Sequence, residues 1–354
     1  MKILSVVGAR PQFIKLAPVH KALLKAGLQH TVIHTGQHYD HKMSTAFFTE
    51  FDIPEPDLNL GVGSSTHAVQ TAKIMESLED HLQMISPDWV LVYGDTNSTL
   101  AAALVSVKMG IPIAHIEAGL RSHNRSMPEE HNRVLTDHCS ELLFAPTSNA
   151  MKLLQAEGLS ERSVLVGDVM IDVLKETKDS FDLDSLNVSA IVGVEGPFVL
   201  TTIHRQENTD NRERLSEILE SLSKLPIPVV LAAHPRLVDR CKTFDLNLEK
   251  GSLKPVSPLG YTELIFSALR AEAIVTDSGG LQKEAYYLGV PCSTVRYETE
   301  WPETLYGGWN ELVGNPGDLK ESVGRSSPTM DRGLPFGNGN AAHAIVEILK
   351  GIDS

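Results

Sequence analysis

Short apolar runs and longer amphipathic segments alternate along this chain. The apolar runs are rich in β-branched residues and extend over about four to eight positions, which is typical of buried strands. Between them, apolar residues recur at helical spacing, and Gly or Pro follows several of these segments, as it commonly follows helices. The predicted strands are KILSVVG, HTVIHTG, DWVLVYGD, IPIAHIE, ELLFAPT, SVLVGD, FVLTTIH, PVVLAAH, LKPVSPL, AIVTDSGG and PCSTVR. The predicted helices include FIKLAPVHKALLKAG, THAVQTAKIMESLEDHLQMI, NRERLSEILESLSKL and YTELIFSALRAE.

This alternation predicts an α/β protein built of βαβ units, in which helices cover both faces of parallel sheets. A chain of 354 residues has the length of about two domains. The polar stretch KETKDSFDLDSLNVS interrupts the pattern, so we predict that it connects two doubly wound domains. We place the first at about 1–172 and the second at about 190–335, with a last helix at about 338–354.

Charged residues, Gly, Asn and Ser are concentrated just after the predicted strands. In doubly wound sheets, ligands bind outside the carboxyl ends of the strands. We therefore predict that these segments line a ligand-binding cleft. They are GARPQ, TGQHYD, GDTNST, EAGLRS, HRQEN, HPR and DSGGLQKE.

Composition and charge limit where in the cell the protein is expected and which kinds of partner it can bind. Hydrophobic residues make up 42% of the chain and charged residues 21%, as in globular proteins, and the apolar runs are far shorter than the roughly 20 residues of a membrane helix. Gly8 and Pro11 end the first apolar run too early for a signal peptide, so we expect a cytoplasmic protein without a membrane partner. The net charge of −14 argues against a nucleic-acid partner. An anionic ligand must then be held by a few local groups.

The loop GARPQFIK has residues suited to bind an anion. Gly8 follows a strand, and Arg10 and Lys15 lie at the start of the next helix. We predict that backbone N–H groups of this turn, at the helix N-terminus, are available to a phosphate. The alternative is that Arg10 and Lys15 are surface charges.

The loop TDSGGLQKEA gives a stronger indication of an anion site. Ser278, Gly279 and Gly280 open a helix and leave no bulky side chain in the path of a diphosphate. Glu284 lies one turn further, where its carboxylate can accept from a ribose diol. The alternative is a tight turn that requires two glycines. With one such loop in each domain, we expect a diphosphate or nucleotide between the domains.

The stretch AHIEAGLRSHNRSMPEEHNR is dense in ionisable side chains, and a metal site is one interpretation. His115 and Glu117 form the HxE of zinc deaminases, but Cys292 stands alone where such enzymes have a PCxxC pair. The three cysteines are widely spaced and form no CxxC motif. The segment TGQHYDHK lacks a second cluster to complete a ligand set; its candidate ligands are His38, Asp40 and His41. We predict no metal.

Proton transfer explains the same stretch better. Asp95 and Glu117 each follow an apolar strand, so both should face one cleft, where partial desolvation tunes a carboxylate toward neutral pH. Glu129 lies at a predicted helix start, and His204 ends a strand of the second domain. Helix capping by Glu129 or a salt bridge from Glu117 to Arg121 are the structural alternatives.

A set of motifs in a fixed order resembles the non-hydrolysing UDP-N-acetylglucosamine 2-epimerase family. The motifs are GARPQFIKLAP, YGDTNSTLA, HIEAGLRS, MPEEHNRVLTDH, HRQEN, HPR and TDSGGLQKEA, and the similarity runs from Lys2 to about Gly314. The resemblance implies the GT-B fold, in which two Rossmann-like domains enclose the active site in the interdomain cleft and the C-terminal helix crosses back onto the first domain. It also implies a homodimer that requires neither metal nor nicotinamide cofactor.

The activity implied by the resemblance is the interconversion of UDP-GlcNAc and UDP-ManNAc. A base removes the proton at carbon 2 while UDP leaves carbon 1, and 2-acetamidoglucal forms. UDP then adds back, and a proton is delivered from the opposite face. By this resemblance the catalytic carboxylates are Asp95, Glu117 and Glu129, the phosphate-side groups are Arg10, Lys15 and His204, and the UDP-binding loop comprises Ser278, Gly279, Gly280 and Glu284. Which carboxylate acts on which face stays open.

Some positions depart from the best-known members. Trp301 stands where those members have the arginine of a TERPE motif, and Tyr297 replaces an aspartate. GARPQF, ETEW and GGWN are similar to the subgroup that acts on UDP-2,3-diacetamido-2,3-dideoxyglucuronate, which is the first alternative substrate. A GT-B glycosyltransferase is a second alternative, although it leaves the set of carboxylates unexplained. A non-catalytic UDP-sugar sensor is a third, although it has no need of acid–base groups on both faces.

Overall fold

A computed structural model describes residues 1–37, 53, 55–180 and 187–352. The chain divides into two compact units. Unit 1 comprises Met1–Lys175 and Pro335–Ser354, and unit 2 comprises Glu176–Leu334. The candidate metal ligands His38, Asp40 and His41 lie outside the described residues. Among the helices of the described part, none combines the length and apolarity needed to cross a membrane.

Strands and helices alternate throughout the described residues. The strands are β1 (Lys2–Val7), β2 (Gln29–His34), β3 (Leu58–Asn59), β4 (Trp89–Tyr93), β5 (Ile113–Ile116), β6 (Leu142–Ala145), β7 (Ser163–Leu165), β8 (Val199–Thr202), β9 (Val229–Ala232), β10 (Leu253–Val256), β11 (Ala273–Thr276), β12 (Cys292–Thr294) and β13 (Asn310–Leu312). The α-helices are α1 (Arg10–Lys25), α2 (His67–Ile85), α3 (Asn97–Lys108), α4 (Pro128–Cys139), α5 (Ser148–Ala156), α6 (Val169–Asp179), α7 (Val188–Val192), α8 (Gln206–Thr209), α9 (Arg212–Ser223), α10 (Pro235–Phe244), α11 (Tyr261–Arg270), α12 (Gly279–Leu288), α13 (Leu319–Val323) and α14 (Ala341–Ile352). Short 3₁₀ helices span Ser160–Arg162, Pro302–Gly308 and Pro316–Asp318.

Each unit contains one parallel sheet. In unit 1 the strand order is β3-β2-β1-β4-β5-β6-β7, and in unit 2 it is β10-β9-β8-β11-β12-β13. Neighbouring strands are parallel in both sheets, as in the register Val6 with Val92 and the register Val275 with Thr201. Two parallel sheets with intervening helices confirm the predicted doubly wound α/β class.

The apolar runs become strands because both sheet faces are covered. All residues of β4 are buried, and its Val90 and Val92 pack with Leu78 of α2 in the core of unit 1. In unit 2, Val199 and Val275 pack with Leu215 of α9. Each such side chain contributes about 1.5–3 kcal/mol on full burial. Continuous apolar runs of this kind are therefore expected of central parallel strands.

All predicted strands are present, and two short strands were not predicted. β3 and β13 are edge strands of two and three residues, too short to form a recognisable pattern of apolar positions. The helix α6 continues to Asp179, so the first residues of the polar stretch KETKDSFDLDSLNVS are helical. Its exposed last turn explains why that part lacks apolar positions.

The C-terminal segment is attached to α6 within unit 1. Asp168 donates its backbone N–H to the carbonyl of Phe336 at 2.9 Å. The carboxylate of Asp172 accepts from the backbone N–H groups of Ala341 and Ala342, at 3.0 and 2.7 Å, at the start of α14. Burial raises the pKa of Asp172 to about 6, although these two N–H groups act in the opposite direction.

Candidate active site

The turn after β1 uses its own backbone donors. Gly8 and Ala9 donate their N–H groups to Oε1 of Gln12, at 2.8 and 3.0 Å. Pro11, the second residue of α1, has no N–H. The prediction that this turn presents its backbone N–H groups to a phosphate is therefore wrong for Gly8 and Ala9. A sequence pattern of Gly followed by a helix does not reveal a side chain that returns to the turn.

Gln12 also connects this turn to the next strand of the sheet. Its Nε2 donates to the carbonyl of Tyr93 at 2.8 Å and to Oγ1 of Thr99 at 2.9 Å. Gly8 is required here because a Cβ atom would lie 2.1 Å from the hydroxyl oxygen of Ser98. The turn is consequently a close-packed junction between β1, β4 and α3.

Lys15 and Glu117 form a buried ion pair between Nζ and Oε2. Lys15 therefore does not fit the alternative of a surface charge, and the alternative salt bridge from Glu117 to Arg121 is wrong. Gly94 closes one side of the pair, because a Cβ atom at this position would lie 3.2 Å from Lys15 Nζ and 3.3 Å from Glu117 Oε2. Arg10, also predicted to bind phosphate, is the first residue of the same helix α1.

Glu117 has a strained backbone. Its φ angle is 73°, in the left-handed region that residues other than glycine rarely adopt. It directly follows Ile116, the last residue of β5, so the strain lies where the strand ends and the loop begins. Such strain persists where the surroundings fix it, and it is concentrated at functional sites.

Asp95 follows the adjacent strand β4 and is paired with an arginine of α4. The Nε of Arg133 lies 2.9 Å from Asp95 Oδ2, and its Nη1 donates to Oε2 of Glu130 at 2.7 Å. Asn132 donates to the carbonyl oxygen of Asp95 at 2.9 Å. Asp95 is about one-third exposed whereas Arg133 is buried, so the carboxylate is both fixed and accessible.

The two adjacent glutamates of α4 differ in role. Glu130 accepts from the backbone N–H groups of Ser122 and His123, both at 2.9 Å. Burial alone would raise the pKa of Glu130, but these donors and Arg133 lower it overall. Glu129 is half-buried in the first turn and, within the described residues, has no hydrogen bond or ion pair. Capping by Glu129 is wrong, because Met127 occupies the cap position.

A buried network underlies the loops that carry Asp95 and Glu117. The two ring nitrogens of His115 lie 2.7 Å from Asp137 Oδ1 and 2.7 Å from the carbonyl oxygen of Gly94. The ring therefore connects the loop after β4 to α4. Asp137 also accepts from Gly119 N–H and pairs with Arg121 at 2.8 Å. Burial acts to raise the pKa of Asp137, but these partners lower it overall.

In unit 2, Asp277 organises the loop that carries His204. Asp277 is fully buried just after β11 and accepts from the backbone N–H groups of His204 and Arg205, at 3.0 and 2.9 Å. Asn208 donates to the same carboxylate at 3.0 Å. Nδ1 of His204 lies 3.3 Å from Asp277 Oδ1. The imidazole is thereby oriented while more than a third of it stays exposed.

The glycine turn of unit 2 (residues 277–280) leads directly into α12. Ser278 is the cap residue, and its hydroxyl accepts from Leu281 N–H at 3.4 Å. Within the described part of the chain, the backbone N–H groups of Gly279 and Gly280 have no acceptor. Glu284 lies on the same helix and is buried. Two unpaired N–H groups at a helix N-terminus are suited to bind an anion.

Two positions that depart from the family pattern contact cationic side chains of unit 2. The buried Trp301 is in a cation–π contact with Lys283, whose Nζ is 3.7 Å from the centroid of the indole ring. Tyr297 is mostly exposed, and the guanidinium of Arg214 lies 5.0 Å from its ring centroid. Trp301 therefore does not supply the positive charge that an arginine would have there.

The structure places several of the predicted residues at the carboxyl ends of strands, and it adds others. Asp95, Glu117 and Lys15 lie at that edge in unit 1, and His204 and the glycine turn lie at that edge in unit 2. Residues that the predicted site did not include are Gln12, His115, Glu130, Arg133, Asp137 and Asp277. Within the described residues, no group of three His, Cys, Asp or Glu side chains is arranged to hold a metal ion.

The fold and these sites define an α/β protein with carboxylates fixed by cationic partners and a glycine turn whose N–H groups have no acceptor within the described residues. The chain belongs to the UDP-N-acetylglucosamine 2-epimerase family, whose family model matches residues 21–350. This confirms the resemblance seen in the motifs. The protein is therefore an isomerase of the UDP-sugar 2-epimerase class.

Two relatives are similar over their full lengths. A UDP-N-acetylglucosamine 2-epimerase homolog of Methanococcus maripaludis is 46% identical, with 99% of this chain and 100% of the relative covered. The UDP-2,3-diacetamido-2,3-dideoxy-D-glucuronate 2-epimerase of Pseudomonas aeruginosa is 43% identical, with 99% of each chain covered. Among solved structures, the UDP-GlcNAc 2-epimerase of Methanocaldococcus jannaschii in complex with UDP-GlcNAc and UDP has a TM-score of 0.90 at 42% identity, over 99% of this chain and 100% of that one.

Proposed function

We propose that this protein interconverts UDP-GlcNAc and UDP-ManNAc by eliminating UDP and adding it back. The observation that carries the proposal is a pair of fixed carboxylates at the ends of neighbouring strands. Asp95 is paired with Arg133 after β4, and Glu117 with Lys15 after β5. Support for the substrate comes from the similar Methanocaldococcus jannaschii protein, whose structure contains UDP-GlcNAc and UDP.

Carbon 2 of the sugar has no adjoining carbonyl, so its hydrogen cannot be removed by simple enolisation. The reaction therefore requires acid–base groups in the protein. The hydrogen at carbon 2 becomes removable only as the bond from carbon 1 to the UDP oxygen breaks, so that 2-acetamidoglucal forms as the intermediate. Arg133 and Lys15 hold the carboxylates of Asp95 and Glu117 in fixed positions, as a group that removes a proton requires. Glu129 has no such partner within the described residues and is the proposed third acid–base group. UDP then adds back, and protonation from the opposite face gives the epimer.

Departure of UDP also requires stabilisation of its diphosphate. In unit 2, the N–H groups of Gly279 and Gly280 and the oriented imidazole of His204 are suited to this task. Arg10 and Lys15 supply positive charge through side chains of α1. Glu284, one turn into α12, is the proposed acceptor for the ribose diol. None of these steps requires a cofactor.

A second substrate is favoured by one specific observation. The relative from Pseudomonas aeruginosa, 43% identical over 99% of this chain, is a UDP-2,3-diacetamido-2,3-dideoxy-D-glucuronate 2-epimerase. Trp301 in this chain, at the position of the family arginine, supports the same grouping. The chemistry at carbons 1 and 2 is the same for both substrates.

Incubation in deuterated water distinguishes the two substrates. The purified protein is given UDP-GlcNAc or the diacetamido uronate, and proton NMR follows the hydrogen at carbon 2. We expect UDP-ManNAc to appear and deuterium to enter carbon 2 of both epimers. Deuterium in the uronate alone selects the second substrate, and deuterium in neither contradicts both.

The family also supports proposals about the setting of the reaction. We expect a cytoplasmic homodimer that supplies an activated sugar for polysaccharide biosynthesis. Sedimentation equilibrium of the purified chain tests the oligomeric state. A monomer at micromolar concentration would contradict the homodimer.

A further inference from the structure

We infer that Gln282 is a further ligand-binding residue of the glycine turn, whose side-chain Nε2 donates to the anion bound there. This deepens the proposed function and rests on it, since the anion is taken to be the diphosphate of a UDP-sugar. The inference starts from a donor that lacks an acceptor. Gln282 is fully buried, and within the described residues its Nε2 has no hydrogen-bond partner. Buried polar groups are nearly always paired, so such a group requires an explanation.

The direction of this amide is fixed by its oxygen. Oε1 of Gln282 accepts from Oγ1 of Thr299 at 2.8 Å and from Nδ2 of Asn310 at 3.1 Å. If the amide were turned over, its NH₂ group would face the NH₂ group of Asn310, and two donors would meet. Nε2 therefore points away from both neighbours.

The orientation of Asn310 is itself fixed by a backbone carbonyl. The hydroxyl of Thr304 donates to the carbonyl of Trp301 at 2.7 Å. The same oxygen must then accept from Asn310, whose Nδ2 lies 3.0 Å away. Oδ1 of Asn310 is left to accept from Thr294 at 2.7 Å. This chain of hydrogen bonds leaves one consistent arrangement of the two amides.

Nε2 of Gln282 points toward the N-terminus of α12. A Cβ atom placed on Gly279 would lie 3.8 Å from this nitrogen and 3.7 Å from Nε1 of Trp301. Side chains on a helix lean toward its N-terminus, which brings residue 282 over the first turn. The unpaired N–H groups of Gly279 and Gly280 belong to the same turn. Nε2 of Gln282 therefore lies beside the first turn of α12, and the space next to Gly279 is where the three donors would share phosphate oxygens.

The carboxylate of Glu300 lies near this space but does not repel an anion there. Oε2 of Glu300 would lie 3.9 Å from the same Cβ position. Both of its oxygens accept from the guanidinium of Arg296, at 2.8 and 3.0 Å, so its charge is compensated. Although burial would raise the pKa of Glu300, this partner lowers it to about 2.

The inference also explains two motifs that the proposed reaction does not use. Thr299 belongs to ETEW and Asn310 to GGWN. Both side chains hold the oxygen of Gln282. Their role is to present the amide nitrogen to the ligand.

The test measures UDP binding by titration calorimetry with the full chain. Gln282→Glu keeps the shape and the accepting oxygen but replaces the donor with a negative oxygen. We expect affinity for UDP to fall about 10-fold or more, as for loss of a hydrogen bond to a charged group. Affinity for uridine, which lacks the diphosphate, should change less than about 2-fold. Gln155→Glu, at an exposed position of α5, is the matched charge control and should bind UDP like the parent.

The outcomes separate this inference from the proposed function. If the parent chain does not bind UDP, the proposed function fails. If the parent binds UDP and folded Gln282→Glu binds it equally well, or loses uridine and UDP affinity in parallel, the role of Gln282 is overturned. If Gln282→Glu does not fold, Gly279→Ala is tested instead. Its methyl group fits between the neighbouring side chains and would occupy the space next to Nε2 of Gln282. UDP affinity of Gly279→Ala within 2-fold of the parent would then overturn the inference, and a loss of about 10-fold would support it.

Discussion

The turn after β1 and the glycine turn after β11 hold the same place in their βαβ units but have opposite hydrogen-bonding states. Both place glycine between a parallel strand and a helix. In the first, Gln12 accepts from the N–H groups of Gly8 and Ala9. In the second, Gly279 and Gly280 have no acceptor within the described residues. The first turn is therefore a packed junction, and the second is open to a ligand.

This difference extends to the side chains of each unit. At the edge of unit 1, the carboxylates of Asp95 and Glu117 are held by cationic partners. At the edge of unit 2, a carboxylate holds the backbone, since Asp277 accepts from His204 and Arg205. We interpret the carboxylates of unit 1 as the source of proton transfer and the glycine turn of unit 2 as a holder of the diphosphate. Changes in the two units should then affect different steps.

Glu117→Gln should have the largest effect, and on chemistry alone. The amide keeps the size of the carboxylate and can still contact Lys15, but it cannot accept the proton. We expect turnover to fall by about 10³-fold, while affinity for UDP changes less than about 3-fold. Exchange at carbon 2 in deuterated water gives the rate, and calorimetry gives the affinity.

The control for Glu117→Gln is Glu141→Gln, at an exposed position next to β6. It makes the same chemical change and should leave turnover intact. Solvent exchange that persists in Glu117→Gln would refute its catalytic role. A loss of UDP binding as large as the loss of turnover would remove the division between the units.

Gln12→Ala should break the closed turn and lower stability. The change leaves the N–H groups of Gly8 and Ala9 without their acceptor in a buried setting. We expect the free energy of unfolding to fall by about 3 kcal/mol, as measured by urea denaturation. Gln29→Ala, at an exposed position of β2, is the control and should change it by less than about 0.5 kcal/mol. Equal stability of the two variants would contradict the account of this turn.

Asp277→Asn should loosen the His204 loop without removing the imidazole. One of its two accepting oxygens becomes an NH₂ group that faces N–H donors of the loop. We expect kcat/KM to fall about 10-fold, with a change in the pH dependence of kcat that a general loss of packing would not produce. Asp239→Asn, at an exposed position of α10, is the control. An unchanged pH profile in Asp277→Asn would argue against an orienting role.

Asp172→Asn should have the smallest effect, which is a change in how the free energy of unfolding depends on pH. Its pKa is raised to about 6, above the ordinary value of 3.8, so the folded state binds the proton more tightly than the unfolded state does. The contribution of this group to the free energy of unfolding is therefore complete at low pH and is lost as pH rises through about 4 to 6. Across this window we expect the parent to lose about 1 kcal/mol relative to Asp172→Asn. Parallel pH curves in urea denaturation would contradict this.

The sequence predicted the strands and the position of the polar residues after them. Asp95, Glu117 and His204 follow apolar runs, and such runs are buried wherever a parallel sheet has two covered faces. The edge strands β3 and β13 were missed because two or three residues carry no periodic pattern. The same logic placed Ser278 and the glycines correctly at the start of a helix.

Which side chains form hydrogen bonds with one another could not be predicted from the sequence. His115 and Asp137 are 22 positions apart on different elements, and no local pattern connects them. Glu129 and Glu130 are adjacent, yet only the helix direction decides which one reaches Ser122 and Arg133. Side-chain hydrogen bonds depend on the final packing of elements, so they follow from the fold rather than from spacing.

The elimination of UDP is tested most directly by an isotope label in the bond that it breaks. UDP-GlcNAc carrying ¹⁸O in the oxygen between carbon 1 and phosphorus is incubated with the protein, and phosphorus NMR follows the label. If UDP leaves and returns, we predict that the label also appears in non-bridging positions of the β-phosphate while the sugar epimerises. Epimerisation with the label retained entirely in the bridge would contradict elimination and re-addition.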